Sequence, residues 1–554
     1  MKAGIKIALV LLIGGIVLGG GIFGYKLYQK YLAISGAVEL LEMAHSKTKS
    51  LKSKKKQSKK IAETKSSKSP SNWLEVQQKV KDTVVQVFAN ISEFNWLEPY
   101  KTPEQSKSAG SGFFINEEGD IVTNYHVVAQ AACVQIQIPS FGMERFDASI
   151  VGVSPDRDIA LLKLTDAARA KISQRINPIP YLELDDSDNI LRSQEVLALG
   201  YPLGQARVKS TLGIVSGRER LGYFGYIQIT AALNPGNSGG PALNSVGKVI
   251  GINNCGVMEA QNVGYIIPIN EVKSALQDLY KVPLLRKPTL GCIFTVATPE
   301  MVSFLGNPGS GGWYIAKVFE DTLLEAVGIK EDDMLYAVND NRVDIYGEMN
   351  VDWSEDKVSL FEYLNRLTIG DTINFLIYRK GERKEFTFKL EHKYLPSVRS
   401  IYPEFEPEAV DYEVIGGMVV MQLTLNHIGR MIQRCPDLVR FGRVEAQHEP
   451  SLVITYIQQN SQADKARVLR PGEIIEAING EKVKTLDEFR KAALKSADNN
   501  YLTIRTEDKL YGVLALDKII KDEDSLCSQY FFRKSNLVRR LADLSSTGTA
   551  TLSA

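Results

Sequence analysis

The run Asn234-Pro235-Gly236-Asn237-Ser238-Gly239-Gly240-Pro241 decides how this chain is read. Its glycines permit tight turns and leave backbone amides unobstructed around a single hydroxyl, Ser238. A serine attacks a carbonyl only when a base takes its proton, and the oxyanion that forms needs N–H donors that no side chain covers. The amides of Gly236 and Ser238 are the candidates for that oxyanion hole.

The same residues fit two patterns. Gly236, Ser238 and Gly240 also match the G-x-S-x-G elbow of a different hydrolase architecture, in which the acid and the histidine follow the serine. In the alternative order, histidine comes first, then aspartate, then serine. Upstream of Ser238, the globular region holds one histidine, His126, in T-N-Y-H-V-V at Thr123 to Val128. It follows Gly112 to Val122, which reads as two short strands around an N-E-E-G-D turn at Asn116 to Asp120. Asp158 heads the apolar run D-I-A-L-L-K-L, which reads as a buried strand. A carboxylate there needs a hydrogen-bonding partner, and a histidine N–H is a natural one. Read singly, each residue also fits a structural role: a loop serine, a satisfied histidine, a turn cap after S-P-D-R at Ser154 to Arg157. Read together, in this order and at strand edges, they specify His126, Asp158 and Ser238 as a nucleophilic triad.

With S-G-F-F-I at Ser111 to Ile115 and G-I-N at Gly251 to Asn253, these motifs resemble the HtrA/Deg serine proteases over roughly Asn72 to Pro283. The resemblance implies a mainly β fold, a chymotrypsin-like double β-barrel for residues 72–285. In that fold His126 acts as general base, Asp158 orients it and Ser238 attacks, with the amides of Gly236, Asn237 and Ser238 forming the oxyanion hole. It also implies an ATP-independent endopeptidase acting on misfolded or flexible polypeptides outside the cytoplasm, with no metal or organic cofactor. Assembly as a homo-oligomer, a trimer or a multiple of one, follows from the resemblance as well. The segment before the serine, Ala231, Ala232 and Leu233, would floor the first specificity pocket, and its lack of charge suggests cleavage after aliphatic residues. Thr230 stands where the family usually has an acid. Ala232, Leu233 and the strand Ile252, Asn253 and Asn254 are expected to bind substrate, the strand by pairing with extended backbone.

Downstream, G-I-K-E-D-D-M-L-Y-A-V-N-D at Gly328 to Asp340 and V-L-R-P-G-E-I-I-E-A-I-N-G at Val468 to Gly480 resemble PDZ signatures. They imply two α+β PDZ-like domains, 286–395 and 396–535, similar to those of the plant-type Deg proteases. The first has an imperfect carboxylate loop, P-T-L-G-C-I-F at Pro288 to Phe294, and an insertion near Tyr346 to Phe361, and it is the candidate for binding C-terminal peptides. The second, around Ile415 to Val420, is the weaker groove. Residues 536–554 read as a polar tail.

The 554 residues suit three to four domains, and 44% hydrophobic with 24% charged content is ordinary for folded chains. Five cysteines, widely spaced and without C-x-x-C, indicate neither a disulfide framework nor a zinc site. Ile7 to Tyr25 is uncharged and about long enough to span a bilayer, so residues 1–30 are expected to be a signal anchor or signal peptide. Residues 31–71 form a Lys-rich linker too polar to bury. Residues 1–70 hold 14 Lys and 3 Glu, so the rest, with 52 basic and 62 acidic side chains, carries a net charge of −10. A basic leader suits a membrane surface, and an acidic body argues against nucleic acid as a partner. Two other readings remain open on sequence: a non-proteolytic chaperone or scaffold of the same fold, and a regulatory protease of one signalling substrate.

Overall fold

The computed structural model describes residues 73–550, apart from 223, 257–261, 288 and 392–394. The expected anchor and the Lys-rich linker lie outside the described residues. Among those described, no helix is long and apolar enough to cross a membrane.

Six strands, β1 (Val84–Glu93), β2 (Glu104–Phe114), β3 (Asp120–Thr123), β4 (Ala131–Gln137), β5 (Arg145–Ser154) and β6 (Ile159–Leu164), close a barrel in the order β1-β2-β3-β6-β5-β4. Six more, β7 (Glu195–Gly200), β8 (Lys209–Leu221), β9 (Phe224–Ile229), β10 (Pro241–Leu243), β11 (Val249–Gly256) and β12 (Gly264–Pro268), close a second in the order β10-β11-β12-β9-β8-β7. The chymotrypsin-like double barrel expected from the sequence is therefore present. The continuous apolar run of β6 has a simple cause. Ala160, Leu162 and Leu164 point into the first barrel, whereas Ile159 and Leu161 point into a separate core between the barrels. Successive side chains face opposite sides of a strand, so a strand with a core on each face has no polar positions to alternate with. Phe113 and Phe114 divide between the same two cores.

Helix α1 (Tyr125–Val128) follows β3 and carries His126. Helix α2 (Ile269–Leu279) repeats Ile269, Val272, Ala275 and Leu279 along one face and buries that face in the inter-barrel core. The crevice between the barrels is thus filled from behind and open where the loops of His126, Asp158 and Ser238 meet.

Two further sheets follow. The first contains β13 (Cys292–Thr295), β14 (Trp313–Val318), β15 (Met334–Val338), β16 (Asn341–Arg342), β19 (Thr372–Arg379) and β20 (Glu382–Lys389). Within the expected insertion, β17 (Glu348–Met349) and β18 (Val358–Ser359) make a separate hairpin that leads into helix α3 (Leu360–Asn365). Ser359 and Glu362 cap α3 reciprocally. This unit leans on the segment leading into the second barrel, where Arg366 pairs with Asp188 at 2.5 Å and Arg192 with Asp356, and on the first barrel, where Arg157 donates to the Asn365 carbonyl at 2.8 Å.

The second sheet is ordered β21-β22-β23-β24-β26-β27, from β21 (Tyr412–Ile415), β22 (Met418–Gln422), β23 (Leu452–Ile457), β24 (Ile474–Ile478), β26 (Tyr501–Thr506) and β27 (Tyr511–Ala515), with β25 (Glu481–Lys482) on β24. Gly416 and Gly417, both at positive φ, turn β21 back along β22. In a PDZ groove the peptide would add to β22 beside helix α4 (Leu486–Leu494). Here β21 fills that edge, and Arg490 of α4 fastens it to Asp411 at 2.7 Å and to Glu413 at 2.9 Å. The weak groove expected near Ile415 to Val420 has its own chain in it.

The carboxyl-terminal expectation is corrected. Helix α5 (Leu516–Tyr530) is followed by helix α6 (Asn536–Ala550), and Leu537, Val538 and Leu541 are buried in the core of the second sheet. The Ser/Thr-rich end hid this, because the three apolar residues occupy one short helical stripe ahead of it.

Under α5, Glu523 is fully buried with neither carboxylate oxygen hydrogen-bonded among the described residues, and burial pushes its pKa up to about 8. Below about pH 4.5 the folded and unfolded chains both hold this proton, between about 4.5 and 8 only the folded chain does, and above about 8 neither does, so stability falls as pH rises across that window. Glu523→Gln is expected to flatten that part of a melting-temperature profile against pH. It should also raise unfolding free energy at pH 8 by about 2–4 kcal/mol.

Candidate active site

Helix α1 has only four residues and no side-chain cap at Asn124, so it is held by its surroundings. Asp158 supplies much of that hold. Its Oδ1 accepts the His126 backbone N–H at 2.8 Å, and its Oδ2 lies 2.7 Å from His126 Nδ1. Its backbone carbonyl accepts from Tyr125 N–H at 3.2 Å and from Asn124 Nδ2 at 2.9 Å. Asp158 sits in the left-handed region, φ +54°, where the turn after Pro155 closes and β6 begins. An ionised carboxylate only accepts, so the imidazole carries its proton on Nδ1 and presents an unprotonated Nε2 to the crevice.

Across the crevice, Asn234 to Asn237 form a β-turn, with the Asn237 N–H donating to the Asn234 carbonyl at 3.0 Å. Pro235 and Gly236, the latter at φ +100°, are the residues a type II turn requires at its two centre positions. A side chain at Gly236 would put Cβ 2.3 Å from the Tyr201 carbonyl. The turn leaves the Gly236 and Ser238 amides without a protein acceptor among the described residues, whereas the Asn237 amide is spent inside the turn. Of the three amides that the resemblance implies, that of Asn237 is therefore engaged, and the two read from the glycine-rich run itself, Gly236 and Ser238, stay open. In this structure the Ser238 hydroxyl donates to the Asn254 carbonyl at 2.7 Å.

Ser111, missed as a functional residue, holds this loop. Its Oγ donates to the Gly236 carbonyl at 2.7 Å and accepts from Tyr201 N–H at 2.9 Å, while its N–H donates to the Ser238 carbonyl at 2.9 Å. Thr123 Oγ1 in turn donates to the Ser111 carbonyl at 2.7 Å. One buried serine therefore ties the first barrel to both ends of the nucleophile turn. A buried hydroxyl at the head of S-G-F-F-I, two residues before paired phenylalanines, was the available signal.

Beside the turn, Ala231 is buried, Leu233 is half-buried and Ala232 is exposed, its carbonyl accepting from Thr211 Oγ1 at 3.1 Å. Thr230 Oγ1 accepts from the Ile214 N–H at 2.9 Å, so its hydroxyl serves the loop that an acid would otherwise brace. Two expected substrate contacts are corrected. Ile252 is fully buried in the inter-barrel core and paired with Pro241 and Ile267 on its two sides. Asn253 is equally buried: its N–H donates to Gly240 at 2.8 Å, its carbonyl accepts from Gly239 at 2.9 Å, and its Nδ2 donates to Leu199 at 2.9 Å. Strand β11 is interior up to that point. At Asn254 the register with β12 shifts, and the backbone carbonyl there is met by the Ser238 hydroxyl and by no strand partner among the described residues.

The chain has likenesses to known proteins across this region. A family model described as a trypsin-like peptidase domain matches residues 110–252. A probable periplasmic serine endoprotease, DegP-like, from Marinomonas sp. (strain MWYL1) is 26% identical over 397 residues, covering 70% of this chain and 74% of that protein. The serine protease Do-like HtrA of Bacillus subtilis (strain 168) is 28% identical over 334 residues, covering 56% and 70%. A solved structure of the HtrA-type protease AlgW with decapeptide is 23% identical, with a TM-score of 0.45, covering 59% of this chain and 100% of that one. The trypsin-like double barrel and the sequence agreement with these endoproteases make this chain a serine endopeptidase similar to the HtrA and DegP-like proteases.

Proposed function

We propose that His126, Asp158 and Ser238 are the catalytic triad of an ATP-independent protease that cleaves unfolded or flexible polypeptides. The observation that carries this reading is the double clamp of Asp158 on His126, together with the unspent amides beside the Ser238 hydroxyl, which turns from the Asn254 carbonyl to Nε2 of His126 for the reaction. In the reaction, Nε2 of His126 takes the Ser238 proton as Oγ attacks the scissile carbonyl, and the oxyanion is held by the Gly236 and Ser238 amides. The imidazolium then returns the proton to the leaving amine, and water, activated by the same nitrogen, hydrolyses the ester.

Ala232 and Leu233 supply an apolar wall for the residue before the scissile bond, and the Asn254 carbonyl accepts the backbone N–H of that residue. The uncharged floor favours small or medium aliphatic side chains. The relatives named as periplasmic support a location outside the cytoplasm. The division into a protease unit, 72–285, and two PDZ-like units, 286–395 and 396–535, belongs to the same reading. The filled edge of β22 leaves the first unit as the receptor for C-terminal peptides.

Incubating the full chain with reduced casein, without ATP, and sequencing the fragments by mass spectrometry tests this reading. Cleavage after Val, Ala, Ile or Leu is expected. Cleavage after basic residues would overturn the pocket assignment, and suppression of casein aggregation without any cleavage would favour a chaperone of the same fold.

A further inference from the structure

The core of the first barrel is completed from far along the chain. Tyr402 is buried among its residues and Phe405 packs against it, both from the segment joining β20 to β21. Tyr402 meets Tyr125, the first residue of α1, ring edge to ring face at 5.8 Å and 89°. Two residues on, Glu404 Oε1 accepts from the Tyr125 hydroxyl at 2.8 Å and from the Gln130 N–H at 3.2 Å. Gln130 lies just past the end of α1, so a single carboxylate oxygen is bonded to both ends of the helix that carries His126.

The joining segment is fixed from its other side as well. Arg286 donates to the Ser400 carbonyl at 2.9 Å, pairs with Glu406, and lays its guanidinium 4.9 Å from the centre of the Tyr402 ring. Arg399 also pairs with Glu406, at 3.1 Å. The loop between β1 and β2 reaches into the second PDZ-like unit. Trp96 is buried with Ile401 and Met421, and Thr455 Oγ1 donates to the Leu97 carbonyl at 2.8 Å. The segment therefore cannot shift without the second unit and the first barrel moving together.

We propose that Tyr402 and Glu404 are positioning residues for the proteolytic reaction, a clasp that keeps the four-residue His126 helix in register with Asp158. The proposal rests on His126 acting as the base. A helix this short has no stability of its own. The Asp158 clamp fixes its middle through the His126 amide and ring, and the clasp fixes its two ends. Loosening the ends lets the imidazole drift while substrate contacts on the second barrel, at Asn254 and Leu233, stay where they are. The chemical step then suffers and substrate binding does not.

The test compares the full chain with Tyr402→Ala, Tyr402→Phe, Glu404→Ala and Glu404→Gln on a fluorogenic aliphatic peptide, with melting temperatures recorded for each. Tyr402→Ala is expected to lose on the order of 10²-fold in kcat and Glu404→Ala on the order of 10-fold, both with KM within about twofold. Tyr402→Phe keeps the ring, and Glu404→Gln keeps an acceptor oxygen, so both should recover most of the rate. Glu404 is exposed, so its variants fold whatever becomes of Tyr402→Ala. A Glu404→Ala protein with unchanged kcat, or rates that follow melting temperature and are not recovered by the conservative variants, overturns the clasp. Ser238→Ala in the same assay separates the two ideas: a silent Ser238→Ala beside an unaffected Glu404→Ala removes the clasp alone, whereas an active Ser238→Ala removes the triad beneath it.

Discussion

Ser238→Ala lowers turnover by a factor on the order of 10⁶, and His126→Ala lowers it by about as much, while the double variant loses little more. The near-equality follows from how the two groups act. Without the imidazole the hydroxyl keeps its proton, and without the hydroxyl the imidazole has nothing to deprotonate, so either loss removes the covalent step entirely. What survives is the small acceleration from the Gly236 and Ser238 amides, which Ser238→Ala leaves in place because they belong to the backbone. Steady-state assays on casein, together with covalent labelling by a serine-directed phosphonofluoridate, measure both sides. The wild type is expected to be labelled at Ser238. Two single losses that multiply in the double variant would show that the residues do not work as one unit.

Asp158→Asn is expected to reduce kcat by about 10⁴ with the fold unchanged. The reason lies in the clamp. The His126 backbone N–H needs an acceptor at 2.8 Å, so the asparagine oxygen must take the Oδ1 position and its amide nitrogen must face Nδ1. An NH₂ group there donates, which makes Nδ1 the acceptor and moves the ring proton to Nε2. The imidazole is then correctly placed and wrongly protonated, unable to accept from Ser238. A kcat within tenfold of wild type would mean that the amide turns the other way and that the His126 N–H is not the constraint described above. Nitrogen-15 chemical shifts of the His126 ring report the tautomer directly.

The barrels were legible because their signals are local: alternating strands, a turn at Asn116 to Asp120, and glycines where the backbone reverses. His126, Asp158 and Ser238 could be singled out for the same reason, since each stands within a few residues of an apolar strand. The substrate strand was misread by two residues. Composition cannot tell that β11 is still paired on both sides at Ile252 and Asn253, because pairing depends on where β10 and β12 end. Ser111 was hidden by its smallness, a polar residue whose three bonds go to backbone atoms 90 or more positions away. The helix α6 was hidden by its polar end, and the Tyr402–Tyr125 contact by a separation of hundreds of residues with no periodic trace in either segment.

The hairpin of β21 and β22 has a further consequence for a protein that handles unfolded chains. A sheet edge with open N–H and C=O groups templates the pairing of any extended segment, and unfolded substrates are rich in such segments. By closing β22 with four residues of its own, pinned through Asp411 and Glu413 to Arg490, the second unit leaves that edge no open ladder for an incoming chain to join. A sheet closed in this way is protected against co-aggregation with the unfolded polypeptides proposed as substrates.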